Sequence, residues 1–375
     1  MTIYDAIVVG AGGIGSAALW RLARRGAAVL GIDSRRPPHD RGSSHGETRI
    51  IRQAYFEHPD YVPLAQRSFA LWSELEEATG RQLYRQTGLL QIGPASGDVL
   101  RGVERSAAMH GLPLERLTPD EIRKRWPVLA VDEDWIGAFE LCAGYLAVEE
   151  CVSAQWEAAL AAGAGQALDE EVVGWDLADP IVVRGRRGEY RTRRLVIAAG
   201  PWAAQLLQGY GLSLTVLRKT LHWFHRESAP VRPDDGFPCF LYETDQGVFY
   251  GFPSVDGRTL KAAEHSGGAT VDVVDDASRE VDASDWEPTG RFLQRYLPQL
   301  GQCVRGAVCF YTMSDDGHFC VGPLPNDARV CVAAGMSGHG FKFAPVLGEA
   351  LAQLTLDGRT DLPIGFLSPD RFSQK

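Results

Sequence analysis

The apolar run Ile3-Tyr-Asp-Ala-Ile-Val-Val9 leads without a break into Gly10-Ala-Gly12-Gly13-Ile14-Gly15. A strand, a glycine turn and a helix carried by Ile14, Ala17, Ala18 and Leu22 leave few folds open. Glycines at this junction let the backbone approach a pyrophosphate, and the amide end of the helix favours its negative charge. Gly26 closes the helix, and Ala28-Val-Leu-Gly-Ile32 forms a second strand ending at Asp33. That acid stands about 20 residues past the turn, where a carboxylate accepts hydrogen bonds from a ribose. The unit predicts a bound dinucleotide, but the fingerprint does not separate FAD from NAD.

Two further apolar runs end in glycine, Arg194–Gly200 and Arg329–Gly335. With Gly10, these three ends are expected on one edge of a parallel sheet, where α/β proteins bind ligands. Between them, residues 213–313 alternate with period two and carry many aromatics, as in Gln246-Gly-Val-Phe-Tyr-Gly-Phe252, and predict a mostly antiparallel sheet. Ser34 to Arg52 reads as a long loop. A helix follows Pro59 with Tyr61, Ala65, Ser68, Trp72 and Leu75 on one face. Thr87–Ile92 reads as a strand, and Thr118-Pro-Asp-Glu121 as a capped helix start. Gly144–Ala162 reads as a strand end and helix, 172–183 as a strand pair, and Ala344–Leu356 as the last helix. The fold class is therefore α/β, a Rossmann-like nucleotide domain assembled from distant segments with a mostly antiparallel substrate domain inserted.

A net charge of −10 disfavours nucleic acid, which needs a basic surface to displace counterions. No apolar run is long enough to cross a membrane, and the first strand begins without a basic leader, so a cytoplasmic protein is expected. The seven cysteines are scattered, odd in number and free of Cys-x-x-Cys pairs, which disfavours a zinc site or a disulfide framework. A small molecule is the expected ligand, and no metal site is expected.

Five stretches carry a more specific signal. They are Gly42-Ser43-Ser-His45-Gly-Glu-Thr48-Arg49-Ile50-Ile-Arg52, Tyr250-Gly-Phe-Pro-Ser254, Leu260-Lys261-Ala-Ala-Glu-His265, Gly306-Ala-Val-Cys309-Phe-Tyr311-Thr312 and Ser337-Gly338-His339-Gly340-Phe341-Lys342-Phe343. In this order they resemble the monomeric sarcosine oxidase and N-methyltryptophan oxidase family, FAD-dependent amine oxidoreductases of the D-amino-acid oxidase class. The likeness covers essentially the whole chain.

The resemblance implies roles. Cys309 stands where relatives bond the flavin 8α-methyl group, chemistry open to a thiolate that nearby cations favour. Arg52 and Lys342 correspond to the pair that holds the substrate carboxylate, one a planar fork and the other a point charge. Two such cations repel each other unless an anion lies between them, which again points to a carboxylate ligand. Lys261 matches the lysine of oxygen activation, His265 the histidine facing the substrate, and His45 with Arg49 the pair packed on the flavin ring. Tyr311 and Tyr250 line the substrate cavity. The remaining cofactor contacts implied are the glycine turn, Asp33, Ser34 and Arg35, the loop residues Gly42, Ser43, Thr48 and Ile50, then Val172, Ala199, Gly200 and Trp202. Met336, Gly338, His339, Gly340 and Phe341 complete that set.

Some positions depart from the family's pattern. Glu47 replaces an aspartate, Leu241 a methionine bordering the pocket, and Met336 an aromatic beside the flavin, while two alanines and Glu264 precede His265. None removes a group the reaction needs.

The implied activity is flavin-dependent oxidation of a secondary or N-methyl amino acid by O2, with H2O2 formed by a monomer carrying covalent FAD. The same chemistry on a cyclic imino acid, N-methyltryptophan or a fructosyl-amino acid is the alternative, and a non-catalytic flavin protein a further one. The FAD-binding domain is expected to comprise 1–80, 140–215 and 314–375, and the substrate domain 81–139 and 216–313.

Overall fold

The computed structural model describes residues 2–372. An eight-stranded sheet carries five parallel strands, in the spatial order Gly165–Leu168, Val29–Asp33, Ile3–Val9, Glu189–Ile197 and Asp327–Ala334. The hairpin Val172–Asp176/Ile181–Gly185 and the strand Cys320–Leu324 add antiparallel edges. The three strands predicted to end in glycine are parallel neighbours, so Gly10, Gly200 and Gly335 lie along one edge. The helix Gly13–Arg24 packs between Val148–Ala161 and Ala344–Asp357 on one face.

A nine-stranded sheet, antiparallel except where Leu89–Pro94 runs beside Cys239–Thr244, is drawn from residues 89–140 and 214–314. Its long central pair, Leu214–His225 and Cys303–Ser314, places Cys309 opposite Lys219. The sequence reading of 213–313 missed the helix Ala283–Tyr296, which covers this sheet and stacks Phe292 on Phe249 at 4.5 Å. Pro288 and Gly290 inside that segment read as loop residues, but packing of its apolar face outweighs their cost.

The stretch Ser34–Arg52 is also less irregular than expected. Thr48–Ile51 is a strand, antiparallel to Gly144–Ala147 in a small three-stranded sheet with Tyr84–Gln86. In the helix Tyr61–Thr79 the predicted face is buried. Ser68 Oγ and Trp72 Nε1 both donate to the carbonyl of Lys342, the latter at 3.0 Å, and so fix the segment that carries this lysine. The capping box at Thr118 and Glu121 is present. Among the described residues no helix is long and apolar enough to cross a membrane.

Candidate active site

Beyond the shared strand edge lies a cavity of about 620 Å³ that runs on to the inner face of the nine-stranded sheet. One end is built from backbone. Gly10 adopts φ +90°, and a Cβ there would meet the carbonyl of Ala198 at 2.5 Å. A Cβ on Gly15 would sit 1.8 Å from the Gly10 carbonyl oxygen, so this glycine lets helix and strand close on each other and does not itself face the cavity. Gly12 caps the helix with no side chain, and the first-turn residues Gly13 and Ile14 line the cavity, Gly13 N donating to Ser44 Oγ at 3.1 Å. Asp33 is buried and accepts from Ala11 N at 2.7 Å and Arg35 N at 2.9 Å. An anion-receiving helix end, a fixed carboxylate and a chamber leading away from them fit a dinucleotide. Gly10, Gly12, Gly13, Ile14, Asp33, Ser34, Arg35, Val172, Ala199, Gly200 and Trp202 all line this region, as do Gly42, Ser43 and Ile50 along the loop.

Cys309 is buried on the cavity wall, 3.4 Å from Arg49, whose guanidinium also donates to Ser43 O at 3.0 Å. Burial, the largest influence, pushes its thiol up, but Arg49 and His45 outweigh that and bring it down to about 7. The other six cysteines go the opposite way. Burial raises Cys142, Cys239 and Cys320 to about 12, Cys331 to about 11, and Cys151 and Cys303 also upward. Only Cys309 is both beside the cavity and disposed to ionise near neutral pH.

At the other end Arg52 and Lys342 are buried, with 3% and 6% of their surfaces exposed. Arg52 lies 4.0 Å over the Tyr55 ring and donates to Ala54 O at 2.9 Å. Its other terminal nitrogen, Nη2, donates to both Glu57 oxygens at 2.6 and 2.7 Å. Lys342 Nζ donates to His339 O at 2.8 Å and lies 3.4 Å from Tyr55 OH. Burial and the neighbouring Arg52 lower Lys342 to about 7. Although burial opposes it, Arg52, His339 and Lys342 hold Glu57 down at about 2. The anion beside these cations is thus supplied by the chain itself, which corrects the expectation that only a ligand could play that part. Glu57 escaped the sequence reading because a lone acid in Tyr55-Phe56-Glu57-His58 carries no motif; the buried charge of Arg52 was the available signal.

His265 Nδ1 lies 3.3 Å from Tyr311 OH, and Tyr250 borders both. Burial, aided by Lys219, Arg52 and Lys342, takes His265 down to about 4, so its ring is neutral at pH 7. His339 is neutral too, at about 3, with Tyr55 OH 2.6 Å from its Nδ1. Met336, Gly338, Gly340, Phe341 and Leu241 complete the wall.

Lys261, His45 and Thr48 do not line the cavity. Lys261 stands behind the loop and donates to Gly46 O at 2.6 Å and Thr48 O at 2.7 Å, its pKa driven well down by burial and then by Arg49. Glu149 takes the amides of the same loop, Gly46 N at 2.7 Å and Glu47 N at 3.1 Å. The loop is therefore held at its carbonyls by the Lys261 amino group and at its amides by the Glu149 carboxyl. His45 is buried there, and its Nε2 has no partner among the described residues.

Residues 5–354 match the DAO family model, described as FAD dependent oxidoreductase. Monomeric sarcosine oxidase of Bacillus sp. (strain B-0618) is 39% identical over 99% of this chain and 96% of its own. The N-methyl-L-tryptophan oxidase of Yersinia pestis (strain Pestoides F) is 38% identical over 98% and 99%. Among solved structures, NikD, an unusual amino acid oxidase essential for nikkomycin biosynthesis, superposes with a TM-score of 0.87 at 25% identity, covering 98% of both chains. Glycine oxidase from Geobacillus kaustophilus shares the fold, with a TM-score of 0.82 at 24% identity over 98% of both. The chain thus belongs to the DAO family of FAD-dependent oxidoreductases and is a flavin-dependent amine oxidase of the sarcosine oxidase type.

Proposed function

We propose that the enzyme oxidises a secondary or N-methyl amino acid, sarcosine-like, to its imine, which water hydrolyses, while O2 becomes H2O2. The observation that carries this reading is the burial of Arg52 and Lys342 in the cavity that also holds Cys309. Glu57 meets Arg52, whereas Lys342 makes no ion pair among the described residues and its Nζ bonds only to His339 O and Tyr55 OH, so the pair still has room for a second anion. A substrate carboxylate takes up that role at the Arg52 fork, with Lys342 as the second contact. FAD, when bound, supplies a two-electron acceptor that passes its electrons to O2.

The chain's own groups set position and charge. The neutral ring of His265 can accept a hydrogen bond from the substrate amine, with Tyr311 and Tyr250 closing the space around it. Arg49 brings positive charge to the flavin side of the cavity with His45 packed behind it, and Lys261 acts from behind the Gly46–Thr48 backbone on charge developing at O2. Cys309 would be the point of covalent attachment: a bond from its sulfur to the flavin 8α carbon would replace one C–H bond there, the proton being lost and the two electrons passing through the flavin to O2. We take the parallel sheet as the core of an FAD-binding domain (1–80, 140–215 and 314–375) and the antiparallel sheet as that of a substrate domain (81–139 and 216–313). The working unit is a monomer, as the name of the Bacillus relative says of that protein.

The test is anaerobic addition of sarcosine, N-methyltryptophan, proline, pipecolate and a fructosyl-amino acid, each beside its analogue lacking the carboxylate. Bleaching of the flavin absorbance by an acid, and not by its neutral counterpart, is expected. Equal bleaching by both members of a pair would remove the amino-acid reading and leave a general amine oxidase.

A further inference from the structure

Arg52 is not held by Glu57 alone. The carboxylate of Glu140, at the end of the strand Trp135–Glu140, is 1% exposed and reaches across to the backbone just after Arg52. Its Oε1 accepts from Gln53 N at 2.7 Å and its Oε2 from Ala54 N at 3.0 Å. The thiol of Cys142 adds a third donor, 3.2 Å from Oε1. All three partners donate and none accepts, so the site is built for an ionised carboxylate.

Arg52 returns a bond to this same turn, donating to Ala54 O at 2.9 Å. The amides of Gln53 and Ala54 thus face an anion while the carbonyl of Ala54 faces the cation, and the turn is fixed from both sides. Burial is the largest influence and leaves the Glu140 carboxyl above its ordinary range, although the two amides, the thiol and Arg52 pull against it. A buried carboxylate with no substrate contact, on a strand of the other sheet, would be an expensive way to brace a short turn unless the turn's position mattered. What it positions is Arg52.

We propose that Glu140 is a positioning residue for the carboxylate clamp: it fixes the Gln53–Ala54 turn so that the Arg52 guanidinium is presented to the substrate's acid group. This rests on the reading of Arg52 as a substrate-carboxylate ligand. Glu140 does not line the cavity, so its effect passes through Arg52 and falls on ground-state binding rather than on electron transfer.

The experiment is a spectral titration of the flavin in the holoenzyme with acetate and with pyrrole-2-carboxylate, using the unmodified protein, Glu140→Gln and Arg52→Ala. Glu140→Gln keeps the shape but sets an amide NH2 against backbone N–H groups. Its Kd for both anions should rise about tenfold, with the saturating rate of anaerobic flavin reduction and the rate of reoxidation within about threefold of the parent. A Kd within twofold of the parent, while Arg52→Ala weakens binding, would overturn the role of Glu140 and leave the clamp standing. If Arg52→Ala also leaves both anions bound as before, the clamp itself is wrong and the proposal goes with it. Equal slowing of reduction and reoxidation, with Kd unchanged, would mark Glu140 as a general structural residue and also overturn the proposal. Should Glu140→Gln not yield folded flavoprotein, Glu140→Asp serves: it keeps the charge, loses the reach to both amides, and is expected to weaken anion binding in the same sense.

Discussion

A thiol that ionises at about 7 beside a guanidinium is poised to react, and Cys309 is the only cysteine so placed among the described residues. Acid precipitation should leave yellow colour in the pellet of the parent and release it to the supernatant in Cys309→Ser. Attachment of FAD to the apoprotein should speed up as pH rises through about 7, because only the thiolate attacks. Arg49→Leu removes the stabilising cation, so that profile should move to higher pH, followed as flavin fluorescence in denaturing gels. Lys342 titrates with the opposite consequence. Below about 7 it is charged and binds an acid group; above, it must first take up a proton. Carboxylate inhibitors should therefore bind up to about tenfold more weakly per pH unit above neutrality. Lys342→Met should bind weakly throughout and show no such slope, as read by flavin absorbance. At this scale the sequence was legible where a residue sat in a motif, as Arg52, His265 and Lys342 do. Glu57 and Glu140 were hidden because their importance comes from burial beside Arg52, and a single chain of letters does not display burial.

Elements follow the same division. The strand–turn–helix at the N-terminus could be read directly, since a turn that closes on its own strand tolerates only glycine at positions 10 and 15. The helix Ala283–Tyr296 could not, because Pro288 and Gly290 argue against it locally and its support is the distant ring of Phe249. Phe292→Ala should accordingly cost about 3–5 kcal/mol of stability, measured by denaturant unfolding. The strand Thr48–Ile51 was hidden in a polar, glycine-rich stretch, and its partner lies roughly 100 residues on. The loop before it, gripped by Lys261 and Glu149, gives a prediction about oxygen. Lys261→Met should slow reoxidation of the reduced enzyme on the order of 10²–10³-fold and anaerobic reduction far less, resolved by stopped-flow. Equal slowing of both would reassign Lys261 to holding the loop alone.

The whole molecule joins two sheets through one cavity, with the nucleotide turn on the parallel sheet, Cys309 and Tyr250 on the antiparallel one, and His265 just past its strand Thr259–Glu264. The parallel sheet is itself discontinuous: its central strands are Ile3–Val9, Glu189–Ile197 and Asp327–Ala334. On a ribosome the glycine turn emerges long before the segment from Gly335 to Lys342 that closes the far wall. At roughly 5–20 residues per second, some tens of seconds separate them. During that interval the nascent chain has a pyrophosphate cradle with no opposite wall, so it can neither retain the cofactor nor align Cys309 with it. Flavin loading is in this sense a checkpoint on synthesis through Lys342, and a polypeptide truncated before Asp327 should leave the ribosome colourless.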